Sequence, residues 1–211
     1  MYPLNKLQYS NNTEYRQCIR SVFNMNAEVY NNNINKLETE NNETLDDETR
    51  DEISYDDNSA NKMHELTLAV LEADTLEIAI ENLNVVLAEC FLTDFFAVRI
   101  LSSDKKSSAL ADLFVDPESE ELSHFGAELN SNQATIGRPT LAQARFLFGA
   151  NALEVKSCVI IPMAYTEIEG LVAIGSREED RFHYSMGHLF LTQMSEIIGT
   201  RFTALLKQGQ V

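Results

Sequence analysis

A chain of 211 residues, 44% of them hydrophobic, is long enough for one well-packed domain plus an appendage, since single domains commonly run ~100–200 residues. Its 33 acidic side chains against 16 basic ones leave a net charge of −17, which repels nucleic-acid phosphates and anionic membranes, because both are bound through clustered Lys and Arg. No run approaches the ~20 apolar residues of a bilayer-spanning helix, and MYPLNKLQYSNN lacks the basic start and apolar core of an export signal. The expectation is a cytoplasmic protein with neither a nucleic-acid nor a membrane partner.

Residues 1–60 form a first region rich in Asn and acid. The run NNNINKLETENNETLDDETRDEISYDDN has too few large apolar residues to offset its ordering entropy, so this region is expected to be largely flexible. TEYRQCIRSVFNM (13–25) is an exception, with Tyr15, Ile19, Val22 and Phe23 at helical spacing behind Thr13 as a cap.

Order begins near residue 61 and is expected to extend to 208. NKMHELTLAVLEA places Met63, Leu66, Val70 and Leu71 on one side of a helix. Asp74 then opens a second helix with Glu77 at the capping-box position, along which Leu76, Ile80, Leu83, Leu87 and Cys90 make an apolar stripe.

DFFAVRIL (94–101) is dense in aromatic and β-branched residues and reads as a strand. DLFV (112–115) reads as a short partner strand, and PESEELSHFGAELN as helical with Pro117 early, where its missing N–H costs nothing. Thr140 caps LAQARFLF, which stops at Gly149. SCVIIPMAY (157–165) and GLVAIGS (170–176) are two apolar runs joined by a short turn, a β-hairpin buried on both faces. Leu189, Phe190, Met194, Ile197, Ile198, Phe202 and Leu205 then mark a long last helix. This order is an α+β layout around an antiparallel sheet.

Several of these pieces together carry a family resemblance. HELTLAVLEADTLEIAIENL, GRPTLAQARFLFG, VKSCVIIPM and GLVAIGSREEDRFHYSMGHLFLTQMSEII, in this order, make residues 63–206 resemble the bacterial family DUF484, which is GAF-like. The resemblance implies a GAF-like fold, with a central antiparallel sheet, the N- and C-terminal helices on one face and a variable middle segment on the other. It implies no reaction or ligand. Relatives usually carry a His-rich segment leading into a coiled coil at the N-terminus, and MYPLNKLQYSNNTEYRQ through SYDDN departs from that pattern.

AIGSREEDRF (173–182) follows an apolar run with a Gly-Ser pair and two arginines, as a phosphate-gripping loop could. A phosphate cradle needs several glycines and a Lys-Ser/Thr pair, whereas this stretch has one glycine, no lysine and three carboxylates. It reads as a strand-to-helix connection in which Phe182 plugs the core and Arg181 pairs with a neighbouring acid; alternatively Arg177 or Arg181 faces a pocket and holds an anion. His183 and His188 lack the spacing of a zinc motif, and Ser176 lacks the second glycine of a nucleophile elbow. Cys18, Cys90 and Cys158 are odd in number and widely spaced, and read as buried reduced thiols. No catalytic residue, metal or cofactor is expected, and the protein is expected not to be an enzyme.

A GAF-like pocket would lie on the sheet face opposite the terminal helices, lined by Arg99, Arg138, Phe146 and Phe148, with Arg177 or Arg181 facing it. The two phenylalanines, at i and i+2 in a short helix, read more readily as core and rim than as ligand contacts. Arg99 is the anomaly, because an arginine in an apolar strand must find a carboxylate, carbonyl groups or a ligand. Two functions remain open: a sensory or regulatory module binding a small molecule, or an adaptor whose pocket is filled by side chains. Both predict a homodimer through the terminal helices.

Overall fold

The computed structural model describes the backbone over residues 47–103, 110–163, 166–182 and 188–208, and side chains over the same residues except 47–58, Ala111 and His188. The helix expected at 13–25 lies outside them. Contacts divide the chain into two units, Met1–Asn61 and Lys62–Val211.

Helix α1 spans Asp47–Leu71, starting well before the apolar pattern that marks it in sequence. The acid-rich run contains no Gly or Pro to stop a helix. Helix α2 spans Leu76–Cys90, and its N-cap is Thr75, one residue later than Asp74, with the Thr75 hydroxyl accepting from the Ile78 N–H at 3.3 Å. Its stripe of Leu76, Ala79, Leu83, Val86, Leu87 and Cys90 is buried. The α1–α2 turn is pinned by Asn82, buried, whose side-chain amide donates to the Ala69 carbonyl at 2.9 Å.

Strand β1 (Phe95–Leu101) leads to β2 (Phe114–Val115). A 3-10 turn (Glu120–Phe125) runs into helix α3 (Gly126–Ser131), so the segment after Pro117 is helical in two short pieces. Strand β3 (Thr135–Gly137) has no counterpart in the sequence reading. Helix α4 (Leu141–Phe148) is held by a complete capping box between Thr140 and Gln143, and stops at Gly149 with φ +56°. Strands β4 (Ser157–Pro162) and β5 (Gly170–Ser176) are the expected hairpin, every residue buried, and helix α5 (His188–Gln208) follows.

The sheet has five strands in the order β2-β1-β5-β4-β3. It is mixed, not wholly antiparallel as the sequence suggested: β1, β5, β4 and β3 pair antiparallel, but β2 runs parallel to β1 through Ile100↔Phe114 and Leu101↔Val115. The connection between β1 and β2 is long, so the chain can return to the same edge in the same direction.

Register sets what each face carries. Phe95, Ala97 and Arg99 align with Gly175, Ala173 and Leu171, and these with Cys158, Ile160 and Pro162. On this face a buried cluster gathers Phe95, Ala97, Leu171, Ala173, Cys158 and Ile160 with Phe125, Leu147 and Val155 from the middle segment. The alternate row, Val98, Ile100, Val172, Ile174, Val159 and Ile161, is buried as well, while α2 contacts β1, and α5 contacts α2 and β4. The stripe of α5, Leu191, Met194, Ile198 and Phe202, is fully buried. Arg201 on the same helix reaches α1, donating to the carbonyls of Val70 at 3.2 Å and Ala73 at 2.6 Å.

Candidate functional site

Arg99 projects from β1 into the layer between the sheet and α4. Its Nη2 donates to the carbonyls of Phe146 at 2.7 Å and Leu147 at 2.8 Å, and Nη1 to that of Val98 at 2.8 Å. The first two belong to the last turn of α4, where carbonyls have no partner within the helix and carry the negative end of its dipole. Of the three partners open to Arg99, the structure supplies carbonyl groups. Burial lowers the pKa of Arg99 and the charge of Asp112 opposes this, but a guanidinium stays charged throughout the accessible pH range.

Phe146 and Phe148 are half-buried against the sheet-face cluster. The Phe146 ring lies 5.1 Å from Phe125 and 5.5 Å from the Arg99 guanidinium; the Phe148 ring lies 6.1 Å from Phe95. Phe148 also crowds the backbone of β5: a methyl group on Gly175 would sit 3.2 Å from its ring and 3.1 Å from Val155. Arg138 follows β3 and is exposed.

The connection after β5 is tied down by its own polar groups. Asp94 accepts from the Ser176 hydroxyl at 2.9 Å, the Arg177 N–H at 2.8 Å and Arg177 Nη1 at 2.8 Å. Arg177 also pairs with Glu154 through Nε at 3.0 Å and Nη2 at 2.9 Å, and lies 4.5 Å over the Phe95 ring. The Ser157 hydroxyl donates to the Glu178 carbonyl at 2.6 Å and accepts from the Phe182 N–H at 3.3 Å. Phe182 is 3% exposed, so it does plug the core. Ser176, considered as a nucleophile in the sequence, is the buried last residue of β5, held to Asp94.

Arg181 pairs with no acid among the described residues. Its Nη2 donates to the carbonyl of Phe91, the C-cap of α2. Three arginines thus serve three helix C-termini: Arg99 that of α4, Arg181 that of α2 and Arg201 that of α1. Neither α1 nor α2 has a basic residue in its own last turn, so the complementing cation comes from a distant element.

Of the six residues singled out in the sequence, four gather around the sheet-face cluster. Arg99 joins Phe146, while Phe148 and Arg177 meet at Phe95; Arg138 and Arg181 take no part in these contacts. The residues that fill the sheet face, Phe125, Leu147 and Val155, were not among those expected there. Phe125 and Leu129, four apart in SHFGAELN, are the only local signal that could have found them. Among the described residues no three His, Cys, Asp or Glu side chains are grouped to hold a metal ion, and no helix is long and apolar enough to cross a membrane. His183 and the side chain of His188 lie outside the described residues.

An α+β chain with a mixed five-stranded sheet between helical layers, and its arginines set on helix ends, defines an architecture without naming a reaction. The chain belongs to the family described as protein of unknown function, DUF484, whose model matches residues 24–203. The match begins within the N-terminal region that the sequence comparison above had set apart. A search of curated proteins found no match.

Proposed function

We propose that the chain is a non-enzymatic, GAF-like interaction module that acts through its surface, its sheet face being occupied by its own side chains. The supporting observation is the cluster on that face: Phe125, Leu147, Ile160, Leu171 and Ala173 are all at most 2% exposed and packed together. A ligand-sensing pocket at this face would need apolar room and a few free polar groups. Arg99, the polar group best placed to serve it, already donates to three carbonyls.

Methyl-labelled NMR of the full-length protein tests this reading. Addition of a metabolite mixture should leave the methyl signals of Leu147, Leu171 and Ala173 in place; saturable shifts of these methyls would overturn it.

Self-association is the second element of the proposal. Leu68 and Leu71 near the end of α1 are 37% and 57% exposed, and Leu189 at the start of α5 is 72% exposed, so apolar side chains remain uncovered on both terminal helices. Light scattering at tens of micromolar should give a dimer that Leu71→Glu weakens. A monomeric wild-type chain would remove this part.

A further inference from the structure

We infer that Lys62 and Arg181 form a receptor for the carboxylate of a small amphipathic acid at the C-terminal end of α2. The two cations converge on one residue. Lys62 Nζ lies 5.8 Å over the Phe91 ring, and Arg181 Nη2 donates to the carbonyl of the same residue.

Arg181 Nε is buried and has no hydrogen-bond acceptor among the described residues. A guanidinium donor withdrawn from water without a partner is costly, and a buried polar atom left so points to a missing acceptor. Lys62 is half-buried and forms no ion pair among the described residues. Arg177 and Lys207, by contrast, are each paired with carboxylates. Burial and the charge of Arg181 both lower the Lys62 pKa, the direction expected when a cation lacks its counter-ion. Two full positive charges more than offset the partial negative charge of about one half at the helix end.

The surroundings fit the rest of such a ligand. Phe91 and Phe190 stack at 5.7 Å between ring centres. Next to Phe91 in the chain, Leu92 is 66% exposed on a left-handed backbone at φ +54°, a conformation that a bulky residue adopts only under constraint. An apolar wall with two convergent donors is the usual make-up of a small-molecule site, and a fork plus an ammonium suits a carboxylate. The acids next to the site, Glu89 with one carboxylate oxygen buried and unpartnered, and Glu178, Glu179 and Asp180 before Arg181, favour a singly charged anion over a phosphate.

Titration calorimetry of the full chain with phenylacetate, octanoate, the neutral phenylacetamide and inorganic phosphate tests the inference. Phenylacetate or octanoate should bind saturably at one per chain, with phenylacetamide and phosphate at least tenfold weaker. Lys62→Gln, which removes no hydrogen bond among the described residues, and Arg181→Gln should each weaken binding tenfold or more, while Arg177→Gln leaves it unchanged. Absence of saturable carboxylate binding, indifference to both substitutions, or equal binding of phosphate overturns the inference. NMR of the same titration locates the ligand: shifts at Phe91, Leu92 and Arg181 support the inference, whereas shifts at Leu147 and Ala173 in their place overturn it together with the filled sheet face.

Discussion

Arg99 and Phe146 are joined twice: the guanidinium donates to the Phe146 carbonyl at 2.7 Å and lies 5.5 Å from the ring of the same residue. One side chain thereby fixes both the end of α4 and the position of its aromatic rim. Arg99→Met should destabilise the fold by about 2–3 kcal/mol, the range for hydrogen bonds to a charged group, which lowers Tm by roughly 5–10 °C in a chain of this size. Arg99→Lys should recover only part of the loss, because an ammonium cannot reproduce the planar fork. Thermal denaturation measures both, and hydrogen exchange should place the loosening in α4. Equal Tm values for wild type and Arg99→Met would remove the capping role.

Gly170 allows β5 to run close beside β1. A methyl group there would lie 2.3 Å from the Arg99 carbonyl oxygen and 2.6 Å from the Met163 side-chain end. The methionine can move but the strand backbone cannot, so Gly170→Ala should cost at least about 2 kcal/mol. Gly126→Ala is the matched control, its nearest neighbour being 3.8 Å away, and should leave Tm within about 2 °C of wild type. Urea titration of the two variants decides the point; a Gly170→Ala curve superimposed on the control would show that the strands can part without loss.

Asp94 gives the connection after β5 a dependence on acid. Burial alone would raise its pKa, but hydrogen bonds from the Arg177 N–H, the Ser176 hydroxyl and the Arg177 guanidinium outweigh it and hold the carboxyl below its ordinary value of 3.8. A depressed folded pKa contributes stability that is fully present above the unfolded value and lost as pH falls through the folded one. Wild type should therefore melt a few degrees above Asp94→Asn from pH 7 down to about pH 5, and the gap should close below about pH 4. A gap that persists undiminished at pH 2.5 would mean that the side chain acts through its shape alone.

Cys90 and Cys158 should behave as inert thiols. Burial, with the charges of Glu65 and Glu89 and some opposition from Lys62, pushes Cys90 up to about 11; burial and Glu128 push Cys158 up to about 12. In a Cys18→Ser background, a thiol-specific disulfide reagent at pH 8 should react with neither in the native state and with both after unfolding, since the thiolate is the attacking species. Both folded values lie above the thiol's ordinary value of 9.0, so this contribution to stability is complete below pH 9 and fades as pH rises toward 11–12. One rapidly reacting equivalent in the native protein would contradict the burial of the pair.

Local signals carried the legible part of the fold. The Thr140-Gln143 box, the stop at Gly149, the β4–β5 hairpin and the stripes of α2 and α5 depend on residues a few positions apart, and the structure has them all. Strand β3 escaped because three residues on a sheet edge have no periodicity to read. The parallel pairing of β2 escaped because DLFV is the same string in either direction of pairing. The site residues were legible by type and not by partner: Arg99 was an anomaly in its strand, but the carbonyls that explain it lie 47 and 48 positions away. Arg181 meets Phe91 across 90 positions, and no pattern along the chain announces that contact.

Arg201 closes a still longer circuit, since the carbonyls it serves at Val70 and Ala73 lie 131 and 128 positions earlier. During synthesis the end of α1 therefore leaves the ribosome well before its cation exists, and the first helix of the domain must wait for the last. Closing so large a loop before any of its contacts are gained slows folding. Nascent chains stalled before residue 201 should be open to protease around Leu71, and those released beyond it should become resistant there.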